Sequence, residues 1–207
     1  MPLPHHTQTF TIGSKEIQLL VPDPSAAKEQ FRDGNNPLPY WSQVWPAALG
    51  LASFLARNTI LIQGRNVIEL AAGLGLPSMF AAHYASHVVC SDYLEEATWF
   101  IGESAQLNEL LNLETRVLNW HYLPPDLEAE VVLLSDVNYE PSEFQVLQDA
   151  LHQLLQRGVC VILSTPQRLA GREFLIPLLS YCQQQELVTV PQGGGEVAVN
   201  VFVLVRK

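Results

Sequence analysis

The chain has 207 residues, 48% hydrophobic and 15% charged, which suits one domain with a substantial core and excludes extended disorder. Its 11 basic and 21 acidic residues give a formal charge of -10. That balance argues against a nucleic-acid groove and fits either a cationic ligand or basic partner, or an acidic surface kept for solubility.

Cys90, Cys160 and Cys182 are odd in number and widely spaced, which fits buried thiols in a reducing compartment better than a disulfide frame or a zinc site. The start, MPLPHHTQTF, lacks the basic-then-apolar design of a secretory leader, and no uninterrupted apolar run reaches membrane-spanning length. A soluble, cytoplasmic protein without membrane contact is expected. The adjacent His5 and His6 read as solvated side chains, and no metal site is expected.

Phe10 to Leu20 reads as a β-hairpin turning at Gly13-Ser14-Lys15. Pro22 to Pro39 is polar and rich in Pro, Asp and Asn, and reads as a surface loop, either a lid or a substrate rim. Pro46 suits a first helical turn, after which Leu49, Ala52, Phe54 and Leu55 make an apolar face.

Strand and helix then alternate. Strands are predicted at Asn66–Leu70, Val88–Asp92, Thr115–Leu118, Val131–Ser135 and Val159–Ser164. The clearest helix is SEFQVLQDALHQLL, where Phe144, Leu147, Leu151 and Leu154 share one face. The runs at Val131 and Val159 are continuously apolar, as strands covered on both faces should be. Such alternation predicts an α/β fold with a mainly parallel sheet and right-handed crossovers. The last segment, LVTVPQGGGEVAVNVFVLVRK, is two strands joined by a Gly-rich loop, and predicts an antiparallel hairpin at the sheet edge. Residues 1–40 form an N-terminal hairpin and loop extension and residues 41–207 the main body, in one domain overall.

The chemistry concentrates around Glu69. In NVIELAAGLGLPSMFAAHYA a buried strand runs into a glycine turn and then a helix, and Asp92 ends the next apolar strand. A glycine turn admits a ligand to the backbone, a helix start offers N–H groups, and a strand-end carboxylate accepts ribose hydroxyls. The pattern predicts a ribose-bearing cofactor. A dinucleotide fold asks for G-x-G-x-x-G, but Ala71, Gly73 and Leu76 stand at those positions, a poor match for NAD or FAD. The P-loop ending Gly-Lys-Ser/Thr is absent. A single-nucleoside cofactor fits better.

The glycine turn, the acid after the second strand of the series and the terminal hairpin resemble a class I, seven-strand S-adenosylmethionine-dependent methyltransferase. Trp45 before the first full helix, the LNW ending in Trp120, and Asp136-Val137-Asn138-Tyr139 as a D-x-x-Y motif resemble the family 16 lysine methyltransferases. The resemblance runs from about Tyr40 to the end, and it implies a Rossmann-like, doubly wound sheet of seven strands. It further implies that Glu69, Ala71, Gly73 and Gly75 line the methionine end of the cofactor and Asp92 holds the ribose. Asn119 and Trp120 would lie by the adenine, Trp45 would close over the cofactor, and Ser135 would join the cofactor site. Asp136 would open the acceptor site with Tyr139 beside it. Two departures stand out: Ala71 replaces a usual glycine, which requires a negative φ there, and His121 stands where a glycine is common.

The implied activity is methyl transfer to a protein lysine, with Asp136 steering the ammonium and Tyr139 orienting the amine. A small-molecule acceptor on the same scaffold and a non-catalytic cofactor-binding module are the alternatives. Nucleic acid is not an expected partner: no basic stripe is visible, and the Asn-Pro-Pro-Tyr type of base-handling motif is missing. Asn108 reads as a helix cap that could also bridge to the third-strand region, Arg168 as a loop charge, and Asn138 has no assigned role.

Overall fold

The structure, a computed structural model, describes residues 2–31, 39–125, 127–167 and 171–206. Its centre is a run of parallel strands: β3 (Asn66–Glu69), β4 (His87–Asp92), β5 (Leu113–Val117), β6 (Val131–Ser135) and β7 (Cys160–Pro166). β3 pairs with both β4 and β6, so the chain builds outward to one side through β5 and then to the other through β7. The change of direction leaves a crevice beyond the C-terminal ends of β3, β4 and β6, where open α/β sheets bind ligands. β8 (Cys182–Gln192) and β9 (Gly195–Leu204) complete a seven-stranded sheet in the order β5-β4-β3-β6-β7-β9-β8. β9 lies antiparallel between β7 and β8.

Alternation along the buried strands sends side chains to two cores. Val131 and Leu133 join the core beneath α2 (Pro46–Arg57), α3 (Leu76–Ala82) and α4 (Glu95–Leu107). Val132 and Leu134 join the opposite core, under α5 (Phe144–Gln156) and α6 (Gly171–Leu175). Phe144, Leu147, Leu151 and Leu154 all face that second core, so a helix of 3.6-residue period covers a sheet buried on both faces. No described helix is long and apolar enough to cross a membrane.

The N-terminal hairpin, β1 (His5–Ile12) and β2 (Lys15–Pro22), is longer than expected. The run HHTQT carries no apolar alternation because most of β1 faces outward. His5, read as solvated, packs its ring edge-on to Phe100 at 5.6 Å, and its Nδ1 bonds the Leu3 carbonyl at 2.7 Å. Ile17 and Leu19 of β2 are buried in the first core. The free edge of β2 is satisfied by side chains of α4 and its cap. Asn108 accepts from Gln18 N and donates to Gln18 O, while Ser104 Oγ accepts from Leu20 N. Asn108 therefore joins the end of α4 to β2, and also donates to Ser104 O at 2.6 Å.

The Pro22–Pro39 segment contains a helix, α1 (Pro24–Phe31), which corrects the loop expectation. Asp23 accepts from Ser25 N and Ala26 N, so Asp-Pro is an N-cap followed by a first-turn proline. Residues 32–38 and Arg168 lie outside the described residues. β8 begins at Cys182, earlier than expected, because as an edge strand it exposes alternate polar side chains such as Gln183 and Gln185.

Candidate active site

Three left-handed residues shape the turn between β3 and α3: Ala71 (φ 51), Gly73 (φ 59) and Gly75 (φ 72). Ala71 therefore contradicts the requirement for a negative φ: the turn keeps the glycine conformation and strains the alanine. Gly75 cannot be replaced in the same way, because a Cβ there would lie 2.7 Å from Cys90 Sγ.

Gly73 in this turn and Ser78 at the start of α3 give their N–H groups to the protein's own carboxylates. Gly73 N donates to Asp92 Oδ2 at 3.0 Å, and Leu94 N to Asp92 Oδ1 at 3.2 Å. Ser78, in the first turn of α3, gives its N–H (2.9 Å) and its hydroxyl (2.6 Å) to Glu69 Oε2. With the Gly73 and Ser78 N–H groups already taken by internal carboxylates, fewer donors remain for a phosphate, in keeping with a phosphate-free cofactor.

Two adjoining cavities of about 210 and 220 Å³ open above this turn. The first is bordered by Trp45, Ala71, Gly73, Gly75, Asp92, Trp120, Ser135, Asp136 and Tyr139, nine of the eleven sequence-derived candidates. The second shares Ala71, Tyr93, Trp120, Val137 and Tyr139 with the first, and adds Asn119, His121, Glu140 and Glu143. Glu69 borders neither. It is fully buried, with its carboxylate turned toward Ser78 at the start of α3, so an expected wall residue lies beneath the site. Asn119 borders only the second cavity, where its Oδ1 accepts from His121 N.

Burial dominates the electrostatics. It pushes the Glu69 carboxyl up to about 8, against the two Ser78 bonds and with help from the Asp92 charge. It also pushes Asp92 above the usual carboxylate range, opposed by backbone bonds from Gly73, Leu94 and Tyr93. The Tyr139 phenol is driven to about 12, chiefly by burial and then by neighbouring Tyr93, Glu140, Asp92 and Tyr40. Burial raises the Cys90 thiol well above its normal value, so it is inert as a nucleophile.

In the D-x-x-Y loop, Asp136 is 8% exposed and held at φ 55, with its N–H on Ser164 O at 2.9 Å. Asn138 anchors the D-x-x-Y loop: it is buried, and its Oδ1 accepts from Thr165 Oγ1 at 2.8 Å. Tyr139 stands 5.0 Å from Tyr40, ring to ring, and the Tyr40 carbonyl accepts from Trp45 Nε1 at 2.6 Å. Sequence reasoning missed Tyr40, Tyr93 and Glu143. Tyr93 directly follows Asp92 and could have been found from that position, whereas Tyr40 and Glu143 come from distant segments with no spacing signal.

The donor set fits a sulfonium nucleoside. Asp92 keeps lone pairs for vicinal hydroxyls, Trp120 and Tyr93 offer flat faces to an adenine, and aromatic rings attract a cation. Carboxylates of Asp92, Asp136, Glu140 and Glu143 border the cavities, and among the described residues no lysine or arginine does.

Comparison with known proteins agrees. A family model described as lysine methyltransferase matches residues 38–180. Human histone-arginine methyltransferase METTL23 is 28% identical over 154 residues, covering 72% of this chain and 81% of that protein. The protein-lysine N-methyltransferase EFM3 of Chaetomium thermophilum is also 28% identical, over 72% of this chain but only 49% of its own length. The Thermus thermophilus 16S rRNA methyltransferase RsmC, solved with AdoMet and guanosine, shares the fold with a TM-score of 0.65. It is 16% identical, with 100% of this chain and 52% of that one covered. A cavity suited to a sulfonium nucleoside on a seven-stranded α/β sheet, together with a match over most of the chain, makes this protein an S-adenosylmethionine-dependent methyltransferase of the lysine methyltransferase family.

Proposed function

We propose that this enzyme methylates a lysine side chain of a protein substrate. The observation that carries the reading is that Asp92, Asp136 and Tyr139 border one cavity, with no lysine or arginine among its described lining residues. Bound there, S-adenosylmethionine supplies a methyl group on a cationic sulfur. Asp92 receives the ribose hydroxyls; Ala71, Gly73 and Gly75 give the methionine end access to the backbone, and Glu69 supports that turn from beneath through Ser78. Asn119 and Trp120 flank the adenine, Trp45 closes the opposite wall, and Ser135 completes the floor.

Displacement at a sulfonium methyl needs little covalent help, so the chain's tasks are alignment and exclusion of water. Asp136 draws in the ammonium of the target and steers it toward the cofactor. That ammonium, with a pKa of ~10.4 in water, sheds its proton to solvent before the site closes, and the neutral amine then takes the methyl group as S-adenosylhomocysteine leaves. Tyr139, with its phenol pushed up to about 12, remains a hydroxyl at neutral pH. It orients the amine by hydrogen bonding and does not take its proton. The aromatic mouth of Tyr40, Trp45 and Tyr139 borders the entry path. A cytoplasmic setting belongs to the same proposal, supported by the free thiols Cys90, Cys160 and Cys182.

The similarity to a protein named as a histone-arginine methyltransferase favours a second reading, transfer to a protein arginine. Labelled methyl transfer into a cell lysate tests both. Methyllysine in the hydrolysed protein fraction supports the proposal and methylarginine the second reading. Counts confined to metabolites or to nuclease-sensitive material overturn both. Tight cofactor binding without transfer to any pool would make the protein a non-catalytic binder.

A further inference from the structure

The turn Leu118–Tyr122 forms a wall of the second cavity, and its shape depends on one distant carboxylate. Trp120 Nε1 donates to Glu143 Oε2 at 2.9 Å, and His121 Nε2 meets the same oxygen at 2.6 Å. Glu143 comes from just before α5, 22 residues beyond His121. The turn's backbone is fixed separately, by His121 N on Asn119 Oδ1 and Tyr122 N on Asn119 O. Those bonds hold the peptide, the indole packs against the second core, and the Glu143 bond fixes the direction of its ring N–H. The bonds from Trp120 and His121 also hold the Glu143 carboxyl below the usual range, so it is an ionised acceptor, the stronger kind.

We propose that Glu143 is a cofactor-positioning residue, which clamps the Trp120 indole and so sets the width of the slot that receives the adenine. The proposal rests on reading this crevice as the S-adenosyl site. It also gives His121 a role: the imidazole is a second anchor for the same carboxylate. Because the clamp acts on the cofactor pocket and not on the reacting atoms, its loss is felt in cofactor affinity more than in turnover at saturation.

Calorimetric binding of S-adenosylhomocysteine to the full chain tests this, using wild type, Glu143→Ala, Glu143→Gln, Trp120→Phe and the Glu143→Ala/Trp120→Phe double variant. Glu143→Ala weakens binding about tenfold. Glu143→Gln, whose amide oxygen still accepts from the indole, recovers most of that loss. On the Trp120→Phe background, which lacks the indole N–H, Glu143→Ala costs little more. Wild-type affinity in Glu143→Ala, or an equal loss with and without the indole N–H, would overturn the clamp. Failure of the wild-type chain itself to bind S-adenosylhomocysteine would overturn the cofactor reading and this proposal with it.

Discussion

The Asp92 carboxylate accepts the backbone N–H of Gly73 at 3.0 Å, so one hydrogen bond ties the end of β4 to the turn that follows β3. The same side chain borders the cavity, where the proposed function places the ribose. Asp92→Asn keeps an acceptor for Gly73 but removes the charge that strengthens bonds from ribose hydroxyls. Affinity for S-adenosylhomocysteine falls about ten- to hundredfold, and the melting temperature also falls, because the amide NH2 faces the Leu94 N–H that Oδ1 accepted. Calorimetry checks the first and thermal denaturation the second; unaltered affinity would remove Asp92 from the ribose site.

Asp136→Asn separates binding from turnover. Asparagine tolerates the left-handed backbone at φ 55, so the loop keeps its shape. Methyl incorporation into lysate protein drops about a hundredfold or more, while S-adenosylhomocysteine affinity stays within about twofold of wild type. A variant that retains most of its transfer activity refutes the steering role.

Glu69 predicts an unusual pH dependence of stability. In the folded chain its carboxyl is pushed by burial from 4.5 up to about 8. Between those values the native state holds a proton that the unfolded state has lost. Stability therefore falls as pH rises through the window and levels off above about 8. The full effect is on the order of 5 kcal/mol. Urea unfolding at pH 5, 6, 7 and 8 should show that decline in wild type and a much flatter profile in Glu69→Gln. Parallel profiles would mean the carboxyl titrates normally.

Ala71→Gly relieves a strained backbone. A left-handed alanine costs about 1–2 kcal/mol, of which the extra freedom of glycine in the unfolded chain returns roughly half. The variant gains about 0.5–1 kcal/mol, read as a higher denaturation midpoint without loss of cofactor affinity. A lower midpoint would show that the methyl group makes contacts worth more than the strain.

Patterns that follow a single period were readable from the sequence. The apolar runs at Val131 and Val159 announced strands covered on both faces, and the order of glycine turn, Asp92 and D-x-x-Y brought nine candidates to one cavity. Polar segments hid what they build. HHTQT gives no alternation because most of β1 faces outward, and Asp23-Pro24 looks like a loop until its cap bonds are seen. The direction of Glu69 was hidden as well, since residue order cannot say that its carboxylate meets Ser78 under the turn and leaves the cavity wall to its neighbours. Nor could it show that Glu143 reaches back to Trp120, a contact made only once α5 has docked.

The place of β9 inside the sheet has a consequence for biogenesis. It follows both β7 and β8 in chain order, yet it lies between them. Until it emerges from the ribosome, the apolar edge of Cys160–Pro166 has no partner on that side, and the nascent sheet offers an open template for pairing with other chains. Completion must wait for a later-made segment to slot between two earlier ones. A ribosome stalled before Gly195 would release a product prone to aggregate, and trigger-type holding of the nascent chain should raise its yield.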